Sequence, residues 1–321
     1  MRAIVFERYG DESVLHIGEA PSPLLVDGAV RIRVRATSVN RADLLQREGH
    51  YPPPPGASTI LGLECAGEIA EIARGVSGWR IGDRAMALLP GGGYAEEVVA
   101  DAGSVIRIPE VLSFEEAGAI PEVFLTVFLT VFDLARAKLG ETLLVHGGGS
   151  GVGTAAITLG KLAGLRVIVT VGSDEKARRC REHGADDAIN YKTEDFVERA
   201  RGANIVLDHI GARYLARDLQ ALAVDGRVVI IGSMGGGSKV EVDIGSLLHK
   251  RQQIIGSTLR ARSKEAKAAV LSGFVARFSD DLNAGRVRPV IHRVYPLEQA
   301  AAAHREVAGD HFGKIVLTVS S

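Results

Sequence analysis

Residues 145–153, VHGGGSGVG, gather groups suited to holding an anion. A strand-like TLLVH ends at His146, glycines follow, and a helix is predicted to begin near Gly151. A helix start of this kind presents unpaired backbone N–H groups and the positive end of the helix dipole, which is the chemistry of a diphosphate site. The dinucleotide fingerprint G-x-G-x-x-G aligns as Gly148, Ser150 and Gly153, with serine at the middle glycine. Serine offers a hydroxyl to a phosphate where a larger side chain would block its approach. Gly148, Ser150, Gly151, Val152 and Gly153 are therefore the expected pyrophosphate contacts.

The next strand bears on which dinucleotide is held. A site for NAD usually ends this strand in a carboxylate about 20 residues beyond the glycines, where it binds the ribose 2′-hydroxyl. Here RVIVTVGSDEKARRC ends in Val171, Gly172 and Ser173, and Lys176, Arg178 and Arg179 follow. Gly172 and Ser173 leave room for a 2′-phosphate and Lys176 supplies a counter-charge, which predicts NADPH. Arg178 and Arg179 read as a solvated helix face. Asp174 and Glu175 are the contrary signal, since either one turned inward would favour NAD.

Other reactive residue types are sparse. The nine histidines show no metal-ligand spacing, and Cys65 and Cys180 stand far apart, so neither a metal site nor a disulfide framework is expected. Tyr51 precedes four prolines, which fix an extended segment. From residue chemistry that tyrosine reads either as a ring held in a cleft or as a surface Tyr-Pro turn.

The elements that must position these groups change character near residue 120. Before it, short strand-like runs such as AVRIRVRATSV alternate apolar and charged residues, placing Val30, Ile32 and Val34 on one face. After it, strands (TLLVH, RVIVTV, DAIN, NIVLDHI, RVVIIGS, QIIGSTL) alternate with helical stretches. One of these, 151–163, puts Val152, Ala155, Ala156 and Leu159 on a common face. The alternation predicts an α/β protein with a doubly wound parallel sheet.

At 321 residues, with 46% hydrophobic and 24% charged residues, the chain is long enough for two domains. A net charge of −1, and no basic tract with interleaved aromatics, argue against a nucleic-acid or anionic-membrane partner. The most apolar run, VFLTVFLTVF at 123–132, is too short to span a bilayer and reads as a buried core helix. A reducing, cytoplasmic setting is expected from the scarcity of cysteine.

The segments NRADLLQREGHYPPPPGAS, ILGLECAGEIAEI, ALLPGGGYAEEV, SGVGTAAI, GSMGGG and GKIVL together resemble the zinc-free quinone oxidoreductases of the medium-chain dehydrogenase/reductase superfamily, the zeta-crystallin-like group. The resemblance implies a GroES-like β-barrel catalytic domain from residues 1–121 and 286–321 and a Rossmann NADPH-binding domain from 122–285. It also implies an active-site cleft where the two meet, and a homodimer. By the same resemblance Asn40 and Tyr51 stand beside the nicotinamide as the catalytic pair, Thr126 approaches it, and Tyr191 and Lys314 join the cofactor set. Gly232 and Met234 in GSMGGG follow a strand end and are expected to back the cofactor, with Ser257 and Leu259 after the last strand of the sheet. Zinc alcohol dehydrogenases of this superfamily carry a cysteine where this chain has Asn40 and a histidine where it has Leu63. Neither residue is a good zinc ligand, so no metal is expected and hydrogen bonds must polarise the substrate. The implied activity is NADPH-dependent reduction of a quinone or similar conjugated carbonyl. Reduction of the carbon–carbon double bond of an enal or enone is the alternative, and a cofactor-binding regulator with little catalysis is the reading from another class.

Overall fold

Strand Ala29–Val39 is the spine around which the first part of the structure is built. The structure is a computed structural model and describes residues 1–320. Val30, Ile32 and Val34 are buried while Arg33 is exposed, as the alternation predicts. The spine pairs antiparallel with Glu64–Ile72, Glu97–Asp101 and Lys314–Thr318. Arg84–Leu88 and Val105–Arg107 extend the sheet on one side, and Ile291–Pro296 extends it on the other. Gly67 crosses the spine so closely that a Cβ there would fall 1.9 Å from the Arg33 carbonyl oxygen, which fixes glycine at that position. Ile4, Ile32, Ile69 and Leu317 belong to one apolar cluster of this part. Burying each such side chain is worth about 1.5–3 kcal/mol.

The chain divides into two units, Met1–Leu125 with the segment from Arg260 onward, and Thr126–Leu259. The return point therefore lies at residues 259–260, whereas residue 285 was expected. Helix Lys264–Asn283 belongs with the first unit: Lys264 pairs with Asp101 at 3.5 Å, and a Cβ at Gly103 would fall 2.9 Å from that of Ala268.

The second unit carries the parallel sheet. Its order is Asp187–Asn190, Arg166–Val171, Thr142–His146, Ala203–Asp208, Leu222–Ile230, Gln253–Gly256, every pair parallel. The order reverses between Thr142–His146 and Ala203–Asp208, and in sheets of this kind ligands bind beyond the carboxyl ends of the strands at that reversal. Helix Gly151–Leu162 buries Ala155, Ala156 and Leu159 against the sheet. At Gly160 a Cβ would meet Val167 at 2.6 Å, so glycine sets the closeness of helix to strand. The run 123–132 is buried as expected, but it is not one regular helix. Pro121–Val127 is α-helical, and Phe128–Leu134 opens into a π-helix in which Thr130 Oγ1 donates to the Thr126 carbonyl at 2.7 Å. Among the described residues, no helix is long and apolar enough to cross a membrane.

Candidate active site

In the second unit the expected cofactor residues fall at the carboxyl ends of the strands. Gly148, Ser150, Gly151, Val152 and Gly153 follow Thr142–His146; Ser173 and Lys176 follow Arg166–Val171; Tyr191 follows Asp187–Asn190. Gly232 and Met234 follow Leu222–Ile230, and Ser257 and Leu259 follow Gln253–Gly256. One edge of one parallel sheet thus gathers five segments that are distant in the sequence.

The glycine loop has the shape that an anion requires. Gly147 adopts φ +67°, and a Cβ at Gly153 would fall 2.4 Å from the Gly147 carbonyl oxygen, so the loop folds tightly onto the helix start. Ser150 caps the helix, its Oγ accepting from Gly153 N at 3.0 Å, which leaves the hydroxyl hydrogen free to donate. The N–H groups of Gly151 and Val152 have no partner among the described residues. A bare helix start with a serine hydroxyl beside it is a cradle that fits a diphosphate.

Beside the loop lies a buried polar set. His146 Nε2 meets Asp218 Oδ1 at 2.8 Å and its Nδ1 meets Thr170 Oγ1 at 3.0 Å. Asp208 accepts from Ile210 N at 2.6 Å and from Gly211 N at 3.0 Å. Burial, and then the Asp218 carboxylate, push the Asp208 carboxyl up to about 6. His209 lies against Gly147, where a Cβ would fall 2.6 Å from its ring, and burial brings its imidazole down to about 4. These residues tie the loop to the strand ends.

Beyond the end of Arg166–Val171, the two acids expected to favour NAD if turned inward each have a partner. Asp174 Oδ1 accepts from Asn190 Nδ2 at 2.8 Å, and Glu175 pairs with Arg178 at 2.7 Å on the exposed helix face. Ser173 caps the helix, accepting from Lys176 N at 3.3 Å. A Cβ at Gly172 would fall 2.8 Å from the Tyr191 hydroxyl, so this glycine makes room for the tyrosine.

The first unit holds a buried polar cluster centred on Glu64, whose side chain is 0% exposed. Oε1 accepts from Ser38 Oγ, from Asn40 Nδ2 at 2.9 Å and from Lys314 Nζ at 2.9 Å, and Oε2 accepts from Glu122 N at 2.9 Å. Lys314 Nζ also donates to Asn40 Oδ1 at 2.6 Å. Lys314, expected among the cofactor contacts, is thus placed in the first unit as the buried ionic partner of Glu64. Asn40 has its amide committed to the cluster: one hydrogen goes to Glu64, and the nitrogen lies 3.5 Å from the Ser38 carbonyl oxygen. It is the N-cap of helix Arg41–Arg47, and its own N–H donates to Asp43 Oδ2 at 2.8 Å. Asp43, also buried, accepts from Gly62 N at 3.0 Å; burial outweighs these two amides and raises its carboxyl to about 6.

Tyr51 is held differently. Arg260 stands over its ring, with the guanidinium carbon 5.2 Å from the centroid, and NH1 reaches the Tyr51 carbonyl at 3.4 Å. Arg260 is anchored by Pro90 O at 2.8 Å and Gln46 Oε1 at 2.6 Å. The Tyr51 hydroxyl has no partner among the described residues. Burial, and then the nearby Glu122 carboxyl, raise its pKa against the pull of Arg260, so the phenol stays protonated. Glu122, half-buried at the start of its helix, is pushed up to about 8 by burial and then by Glu64, with Lys314 opposing.

Zinc does not fit this cluster. Asn40 and Leu63 stand at the would-be ligand positions, and the neighbouring carboxylate already carries a buried ammonium at 2.9 Å. Burial pushes the Cys65 thiol far above its usual value, away from the thiolate a metal needs. Glu64, Ser38, Glu122 and Arg260 were not singled out by sequence reasoning. The one local signal is an acidic residue inside the otherwise apolar strand run GLECAG.

Residues 151–273 match the family described as zinc-binding dehydrogenase, and residues 26–110 match the alcohol dehydrogenase GroES-like domain. The chain is 31% identical over 327 residues to the quinone oxidoreductase of Rattus norvegicus, a match covering 99% of this chain and 97% of that protein. Among solved structures it is similar to an NAD-dependent alcohol dehydrogenase, with a TM-score of 0.86 and 33% identity over 100% of both chains. It is also similar to Escherichia coli quinone oxidoreductase complexed with NADPH, with a TM-score of 0.84 and 27% identity over 99% of this chain and 100% of that one.

Proposed function

We propose NADPH-dependent reduction of a quinone for this chain, which belongs to the quinone oxidoreductases of the medium-chain dehydrogenase/reductase family. The reading is carried by the Tyr51 hydroxyl: protonated, without a partner, and held through its ring and backbone by Arg260. A nicotinamide cofactor, when bound, supplies the hydride. Tyr51 then donates a hydrogen bond to the substrate oxygen on which negative charge grows, a role that zinc fills in metal-dependent relatives of this fold. Asn40 acts one step back, keeping Lys314 and Glu64 in register, because its amide is already spent on them. Gly151, Val152 and Ser150 hold the diphosphate.

Cofactor choice rests on this chain's own residues, since one structural neighbour is described as NAD-dependent and another holds NADPH. Asp174 accepts from Asn190 and Glu175 pairs with Arg178, so both acids already have a partner, and Lys176 is the counter-charge for a 2′-phosphate. The test is consumption of NADPH and NADH, each offered with an ortho-quinone and with a 2-alkenal. NADPH oxidation driven by the quinone is expected. Preference for NADH, or turnover of the alkenal alone, would overturn the reading.

A further inference from the structure

Reduction of a quinone by hydride leaves an oxyanion that must gain a proton, and Tyr51 is poorly suited to give one up because burial holds its proton more firmly than usual. Glu122 is different. It lies in the first turn of helix Pro121–Val127, and its backbone N–H is fixed on Glu64 at 2.9 Å. Its carboxyl has no hydrogen-bond partner among the described residues and is only half-buried. The titratable and charged groups around it come from several neighbouring elements: Glu64 on its strand, Lys314 on the returning strand, Asp43 on helix Arg41–Arg47, Arg260, Lys267 and the neutral Tyr51 phenol. The nearest of these in effect is the Glu64 carboxylate, which disfavours a second negative charge beside it.

We propose that the side-chain carboxyl of Glu122 is the proton donor of the reaction. This rests on the reductase reading above. Two electrons and one hydrogen nucleus reach the quinone as hydride from a reduced nicotinamide, giving the hydroquinone monoanion. The Glu122 O–H bond then breaks, its proton completes the second hydroxyl, and the electron pair stays on the carboxylate, which water reprotonates. Tyr51 steadies the oxyanion by a hydrogen bond without surrendering its own proton. A donor is most effective when its acidity lies near the working pH, and the carboxyl here, shifted up to about 8, is largely protonated at neutrality.

The experiment compares wild type and Glu122→Gln on both sides of pH 8, reading kcat/KM for an ortho-quinone with NADPH. Because the acid form is the active one, the wild-type rate should hold below about 8 and fall as pH rises through that value. Glu122→Gln should lose about 10²-fold at neutral pH, the low end for general acid catalysis, and that descending limb with it. A second measurement does not depend on turnover: difference infrared spectra of the free protein should show a protonated-carboxyl band that disappears on raising pH through 8 and is missing from Glu122→Gln. Glu122→Gln with the wild-type rate and pH limb would overturn the donor role while leaving quinone reduction standing. Absence of the band in wild type would overturn it too. A wild type that shows the band but turns over no quinone would sink the reductase reading, and the donor role with it.

Discussion

Replacing Lys314 by Met removes one half of a buried ion pair and leaves the other half in place. Glu64 is 0% exposed, and Lys314 Nζ sits 2.9 Å from its Oε1. Breaking such a pair from one side commonly costs about 3–5 kcal/mol, because a charge stays buried without its counter-ion. Glu64 keeps three donors, Ser38 Oγ, Asn40 Nδ2 and Glu122 N, so the expected loss lies at the lower end, about 3 kcal/mol. Lys314→Met with Glu64→Gln removes both charges together, and about half or more of that loss should return. The assay is equilibrium unfolding in urea followed by tryptophan fluorescence, since the chain has one tryptophan, Trp79, which packs against the core of the first unit. With a urea slope of about 2–3 kcal/mol per molar, the single variant should shift the midpoint down by about 1–1.5 M. A shift of a few tenths of a molar, as for an exposed pair, or a double variant no more stable than the single, would refute the reasoning.

Tyr51→Phe should lower quinone turnover by about tenfold, less than the 10²–10³ typical of losing an oxyanion donor, because charge spreads over the quinone ring. NADPH affinity, titrated separately, should be nearly unchanged, and wild-type turnover would show that the donor lies elsewhere. Lys176→Ala should weaken NADPH binding about 10- to 100-fold, the equivalent of about 1.5–3 kcal/mol for a charged hydrogen bond, while sparing NADH; equal losses for both would remove the 2′-phosphate assignment. Activity is expected to survive exhaustive chelation, given Asn40 and Leu63 at the would-be ligand positions, and stoichiometric zinc by elemental analysis would contradict this.

What the sequence determined by itself is local. The glycine loop draws its shape from near neighbours: φ +67° at Gly147 and the serine cap on Gly153 arise within a few positions, so the cradle was legible as a string. The alternation through Val30, Ile32 and Val34 likewise announced a half-buried strand before any partner was known. The Glu64 cluster could not be read this way. It joins residues 38–40, 64, 122 and 314, brought together because Ala36 pairs with Ala66 on one side of the spine while Ser38 pairs with Val316 on the other. No periodicity in the chain encodes that register, so the ion pair of Lys314 with Glu64 has no signal in the string. The commitment of Asn40's amide, the engagement of Asp174 by Asn190 and the shift in Glu122 follow from the same cause. Whether a polar group is spent or free, charged or protonated, depends on which distant neighbours exclude water from it, and only the folded chain brings those neighbours together.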